Sequence, residues 1–207
     1  MLVMAIVGCT SPEKKAAATI DKYLKTQPID LSNYETLATL VDTAYNLVIY
    51  NKEFKELYRK AEGFQREAEF ALIELNGNIS LRDIWEDSRY SYGRKDYEKY
   101  DAKVKTSAEE YVKQMTKYLD ALEKIYTIVD NTNEKEVLGW MATRNAKQDG
   151  TVYQTFFLLS PDYKTVLGVF NDELDLTPMK DFLEGVLEHR DEVPHMRAEL
   201  EKYTNMK

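Results

Sequence analysis

Residues 32–54 read SNYETLATLVDTAYNLVIYNKEF, and the period found in them decides the architecture. Ser32-Asn33-Tyr34-Glu35 has the form of a capping box, with Ser32 as N-cap and Glu35 at N3. After it, Leu37, Leu40, Ala44, Leu47, Asn51, Phe54, Tyr58, Ala61, Gln65, Ala68, Leu72 and Leu75 follow in alternating steps of three and four. Val41, Val48, Leu57, Phe64 and Ala71 widen this stripe to a face suited to a helical bundle. Asn76-Gly77-Asn78 is the stop signal. The pattern predicts a helix over 33–76, about 65 Å long at 1.5 Å per residue, a length that favours a break near Asn51 or Gly63.

Downstream, Ser80-Leu81-Arg82-Asp83 opens a short connector carrying Trp85 and closed by Gly93. A second stripe follows through Tyr97, Tyr100, Val104, Ala108, Tyr111, Met115, Tyr118, Leu122, Ile125 and Val129. Two such stripes predict an antiparallel helical hairpin over 32–130, packed at a shallow angle. At Asn131-Thr132-Asn133 the period becomes alternating. Val137–Ala146, Val152–Ser160 and Thr165–Phe170 read as three strands, joined by the turn signals Lys147-Gln148-Asp149-Gly150 and Pro161-Asp162. Pro178–His189 and a segment starting at Pro194 read as two C-terminal helices, the nearest candidates to cover the sheet. Upstream, Glu13–Thr26 reads as a helix stopped by Gln27-Pro28. The expected fold is α+β, mainly α: a long antiparallel helical hairpin, a three-stranded antiparallel meander and two C-terminal helices.

The chain has 207 residues, 43% hydrophobic and 31% charged, with a net charge of −8. These values fit a folded chain with a core rather than a disordered one. The acidic balance argues against nucleic acid as a partner, since phosphate binding needs a concentrated basic surface. No apolar run approaches the roughly 20 residues that span a bilayer as a helix.

Met1 to Gly8 are uncharged and apolar, and Gly8 stands before Cys9, the single cysteine. An apolar core ending in a small residue is the form of an export signal. Ile6-Val7-Gly8-Cys9 resembles the lipobox of bacterial lipoproteins, a resemblance that implies lipidation of Cys9 after cleavage. Several acyl chains then hold a protein firmly on a membrane, at about 0.8 kcal/mol per buried CH₂. No Lys or Arg precedes the apolar core, so the chain is expected to start inside a longer signal or at an internal Met of a longer reading frame. The other reading of the same residues is a short buried strand with Cys9 as a small core hydrophobe. On the lipobox reading, 1–8 is a signal remnant, 9–15 a lipidated tether and 16–207 a single, mainly helical domain, with 131–207 its α+β part. The combination is similar to small lipoproteins abundant in Bacteroidota, a resemblance that carries no functional residues of the body. Thr10 stands where an aspartate would mark inner-membrane retention, so the implied address is the outer membrane, facing the periplasm.

Chemistry-bearing patterns are few. There is no Gly-x-Ser-x-Gly elbow, and the glycines form no phosphate-binding loop, so no cofactor is expected. The best metal pattern is His195 with Glu199 one helical turn on, near His189; Pro194 separates the two histidines, and a solvated surface is the expected role. The run Asn171-Asp172-Glu173-Leu174-Asp175 lacks the glycine and closing glutamate of a calcium loop. Trp140 with Phe156 or Phe157, and Trp85 with Tyr90 and Tyr92, are candidate stacking platforms for a ligand. Phe156 and Phe157 point to opposite faces of a strand, so only one can join Trp140.

From these residues the expected function is a lipid-anchored envelope protein presenting a protein- or ligand-binding surface. Its partners would be the membrane, through the anchor, and another envelope protein. The alternative is an envelope hydrolase or small-ligand enzyme with a pocket between helices and sheet, using His189, His195 and nearby carboxylates.

Overall fold

A computed structural model describes residues 11–86 and 91–204. Among them the chain is mainly helical, with five α-helices and one four-stranded antiparallel sheet. The elements are α1 (Pro12–Leu24), β1 (Tyr34–Tyr45), α2 (Lys52–Glu86), α3 (Ser91–Asn131), β2 (Val137–Gln148), β3 (Thr151–Leu159), β4 (Val166–Phe170), α4 (Thr177–Glu188) and α5 (Val193–Thr204). They form two compact units. One holds the chain up to Tyr50 together with Thr132–Asp181; the other holds Asn51–Asn131 and the chain from Phe182 onward.

The sheet unit corrects the reading of 32–50. This stretch is the fourth strand, β1, and not the start of a helix. Ser32 sits in a turn, where its backbone N–H donates to the Asp30 carboxylate at 2.8 Å, and it caps nothing. The composition explains the outcome: Tyr34, Thr36, Thr39, Val41, Thr43 and Tyr45 are β-branched or aromatic and suit a pleated surface. A bulge between Thr36 and Ala38 disguised the period. It puts Tyr34, Thr36, Thr39, Val41 and Thr43 on one face, a broken alternation that imitates helical spacing. The hairpin therefore does not precede a three-stranded meander; it is inserted between the first two strands of a four-stranded one. At the point of insertion, Asn46 N donates to Glu136 O at 2.9 Å.

β2, β3 and β4 fall where the alternation put them, in the order β1-β2-β3-β4. The β2–β3 turn has positive φ at Asp149 (49°) and Gly150 (84°), the mirror-type turn that matches strand twist. Helix α1 covers one sheet face, packing Ala16, Ile20 and Leu24 on Ala142, Phe157 and Leu159. On this face it takes the role expected of the C-terminal helices, because Ala16 and Ala142 let helix and sheet approach closely. Its start at Pro12, with the Ser11 hydroxyl accepting from Lys14 N, lies inside the stretch read as a tether.

The helical unit is the expected hairpin with shifted ends. Asn51 is the true cap of α2, its side-chain oxygen accepting from Glu53 N (2.8 Å) and Phe54 N (3.2 Å). The break near Asn51 is thus present. Asn76-Gly77-Asn78 does not stop α2, which continues to Glu86 through the supposed connector. Packing on α3 overrides the local signal. Asn78 is buried, and its amide donates to the Ser107 hydroxyl at 3.1 Å, beside the cluster of Leu75, Val104 and Ala108. Gly93 lies in the first turn of α3. Helix α5 docks on α3 through Tyr203 against Tyr111 (5.0 Å, edge-on) and through Arg197, which reaches Asp120 at 2.6 Å and Glu123 at 3.0 Å.

Candidate functional site in the sheet unit

The face of the sheet under α1 carries Trp140, Ala142, Arg144 and Ala146 from β2, by strict alternation. Half-buried Trp140 and buried Ala142 and Ala146 are ordinary for such a face. Arg144 is not: its side chain is only 1% exposed. One guanidinium nitrogen donates to the Thr36 hydroxyl; the other donates to Ala17 O at 3.2 Å and to the Asp21 carboxylate at 2.9 Å. Nε has no hydrogen-bond partner among the described residues. A buried guanidinium so held joins β1, β2 and α1 at one point, and Asp21, half exposed, supplies its counter-charge at the rim.

Next to Arg144, where α1 ends, helix and sheet diverge and leave a groove of about 350 Å³. That volume is in the range of small-ligand sites. Its floor is Ala146, Phe157 and Val169; its walls are Tyr23, Pro28 and Ile29 on one side and Tyr34 and Tyr153 on the other. Tyr23 meets Phe157 edge-on at 6.3 Å, which fixes the inner wall. The far wall is tied down by Gln148 Nε2 donating to Asp30 O (2.7 Å) and Asn33 Nδ2 donating to Asp149 Oδ1 (2.8 Å). Polar atoms reach the groove from Gln27, Gln148, Thr155 and the tyrosines, while among the described residues no carboxylate, histidine, lysine or arginine lines it. Burial pushes the Tyr34 hydroxyl above the usual tyrosine range, and the Arg144 guanidinium beside it pulls partly back. Tyr34 therefore stays a neutral donor at physiological pH. A preformed apolar slot with neutral hydrogen-bonding rims can bind and orient a ligand.

Of the sequence-derived candidates, Phe157 lies on the groove floor, and the other described ones fall elsewhere. Cys9 and Tyr90 lie outside the described residues. Trp140 is near the opposite end of β2 from the groove, stacked on Tyr163 at 5.2 Å with its Nε1 donating to Pro161 O at 3.0 Å. Phe157 shares its face, as one of the two phenylalanines had to, while Phe156 pairs with Phe170 across the strands. Trp85 meets Tyr92 edge-on at 6.4 Å in the helical unit. His195 Nε2 lies 3.9 Å from Glu199, whose carboxylate is also held by Lys202, and His189 bonds Glu192 at 3.1 Å. Both histidines are exposed, and among the described residues no three His, Cys, Asp or Glu side chains gather as a metal set. Arg144 and the groove were missed, although an arginine at an inward position of an otherwise clean strand was a signal for both.

Among the described residues no helix is long and apolar enough to cross a membrane. No protein-family model, curated protein or solved structure matches the chain.

Proposed function

We propose that the chain is a lipid-anchored cell-envelope protein, held through Cys9, whose sheet unit binds a small, largely apolar ligand in the groove beside α1. The groove carries the binding part of this reading: its floor is apolar, its walls are aromatic, and its polar rims are neutral. The resemblance of Ile6-Val7-Gly8-Cys9 to a lipobox supports the anchor, with the outer membrane facing the periplasm as the implied address. Helix α1 begins at Pro12, so on this reading the binding unit follows the acylated cysteine almost at once. A ligand with a flat apolar body and one or two hydrogen-bonding groups suits the slot better than a highly charged one, because no charged side chain lines it among the described residues.

Two measurements test the two halves. Labelled palmitate supplied to a bacterial host is expected to be incorporated into the chain and lost with Cys9→Ser; no incorporation at Cys9 overturns the anchor. The environment-sensitive dye anilinonaphthalene sulfonate is expected to brighten on the purified full chain. Thr155→Phe, which fills the groove from a strand position, should abolish that signal with the thermal transition retained. Undiminished dye binding by the folded Thr155→Phe chain overturns the groove as the site.

A further inference from the structure

Helix α2 has two apolar faces, and α3 uses only one. Ala68, Ala71 and Leu75 are buried on the used face. On the other, Phe70, Ile73, Leu81 and Ile84 stand 66%, 68%, 40% and 67% exposed. At 100° per residue these four lie within about 40° of the direction of Gly77, so they form one straight stripe about 20 Å long. Their spacing is symmetric: Ile73 and Leu81 are each one heptad half-step from Gly77, and Phe70 and Ile84 are each a full heptad from it. Reversing the helix end for end about Gly77 lays apolar residue on apolar residue throughout.

We infer that this stripe is a homodimer interface, in which α2 of two copies pack antiparallel across a two-fold axis at Gly77. A two-fold interface must be self-complementary, and the spacing about Gly77 has that property. Gly77 itself supports the assignment. A Cβ there would meet nothing within 4 Å inside the chain, so no internal contact demands a residue that weakens a helix. At a crossing point glycine lets two backbones approach. The stripe exposes roughly 500 Å² per copy, so pairing buries about 1,000 Å², the lower limit of a specific interface. A lipid surface is the poorer occupant, because Glu69 and Glu74 flank the stripe and anionic headgroups repel them.

The test uses the full chain carrying Cys9→Ser under reducing conditions, followed by sedimentation equilibrium. A monomer–dimer equilibrium is expected, weakened about tenfold or more by Ile73→Glu; that exposed substitution should leave helicity by circular dichroism unchanged. In the same background, Gly77→Cys should crosslink to itself on oxidation. Ile73→Cys should crosslink only when Leu81→Cys is also present, since the two positions meet across the axis. A chain monomeric at all concentrations, an Ile73→Glu dimer of full strength, or self-crosslinking by Ile73→Cys alone would each overturn the pairing. Flotation with phosphatidylglycerol–phosphatidylethanolamine vesicles that Ile73→Glu abolishes would assign the face to the membrane instead.

Discussion

Arg144 is the residue on which the sheet unit turns. Its guanidinium bonds three groups from two other elements at once: the Thr36 hydroxyl, the Ala17 carbonyl and the Asp21 carboxylate. Arg144→Ala leaves those groups and a cavity behind, and is expected to cost about 2–4 kcal/mol in urea denaturation. Asp21→Asn should cost about 1 kcal/mol or less, because Asp21 is half exposed and its amide oxygen still accepts. Equal losses from both substitutions would mean that the ion pair, rather than the arginine's hydrogen bonds and packing, holds α1 down. His189 offers a second readout at this scale. The Glu192 carboxylate raises its pKa above the ordinary 6.5. A raised pKa means that this contact contributes fully below the ordinary imidazole range and fades as pH rises through the folded value. The imidazole resonance of His189 should therefore titrate at higher pH than that of a free histidine, and Glu192→Gln should move the midpoint down.

Among the elements, β1 and α2 show what local pattern can and cannot decide. Strands β2 to β4 were legible because β-branched and aromatic residues alternate and the Asp149-Gly150 turn has its own chemistry. β1 was illegible because one bulge at Leu37 converts a period of two into a mixture of two and three, which a helical template accepts. The ends of α2 were misread for a different reason. Asn76-Gly77-Asn78 is a stop only while nothing beyond it rewards continuation, and the Asn78–Ser107 bond and the packing on α3 supply that reward. The groove was hidden in the same way: its lining comes from α1, the segment after it and all four strands, whose meeting depends on β1 being a strand. At this scale two substitutions have opposite expected signs. Gly63→Ala puts a methyl where nothing lies within 4 Å and should stabilise α2 by about 0.5–1 kcal/mol. Asn51→Ala removes the cap accepting from Glu53 N and Phe54 N and should cost about 1 kcal/mol. Thermal denaturation followed at 222 nm reads both.

For the whole molecule, one pair of neighbouring strands is far apart in the chain. β1 and β2 are neighbours in the sheet but lie on either side of the entire hairpin, so their pairing must close a long loop before it gains any contact. The hairpin's helix bonds are local, and its interhelical pairs, such as Asn78 with Ser107 at a separation of 29 residues, span less chain than β1 with β2. Topology therefore orders the folding events: helical signal should rise first and the sheet should form later. In Trp85→Phe, fluorescence reports Trp140 alone, and its change in stopped-flow refolding is expected to lag the far-ultraviolet dichroism. Simultaneous phases would show that the strands pair before the helices are complete.

The hydrogen bond from Asn46 to the Glu136 carbonyl gives that detour a further meaning. The polypeptide leaves the sheet after β1 and returns to it before β2 through one doorway, so α2 and α3 are an insertion between two paired strands. Such an insertion can be lengthened, shortened or exchanged for a tight turn while the neighbours of every strand stay the same. Variation in length is thus expected to concentrate beyond this doorway, and a shortened chain that joins Asn46 to Glu136 through a turn and stops before Phe182 is the natural vehicle for studying the groove by itself.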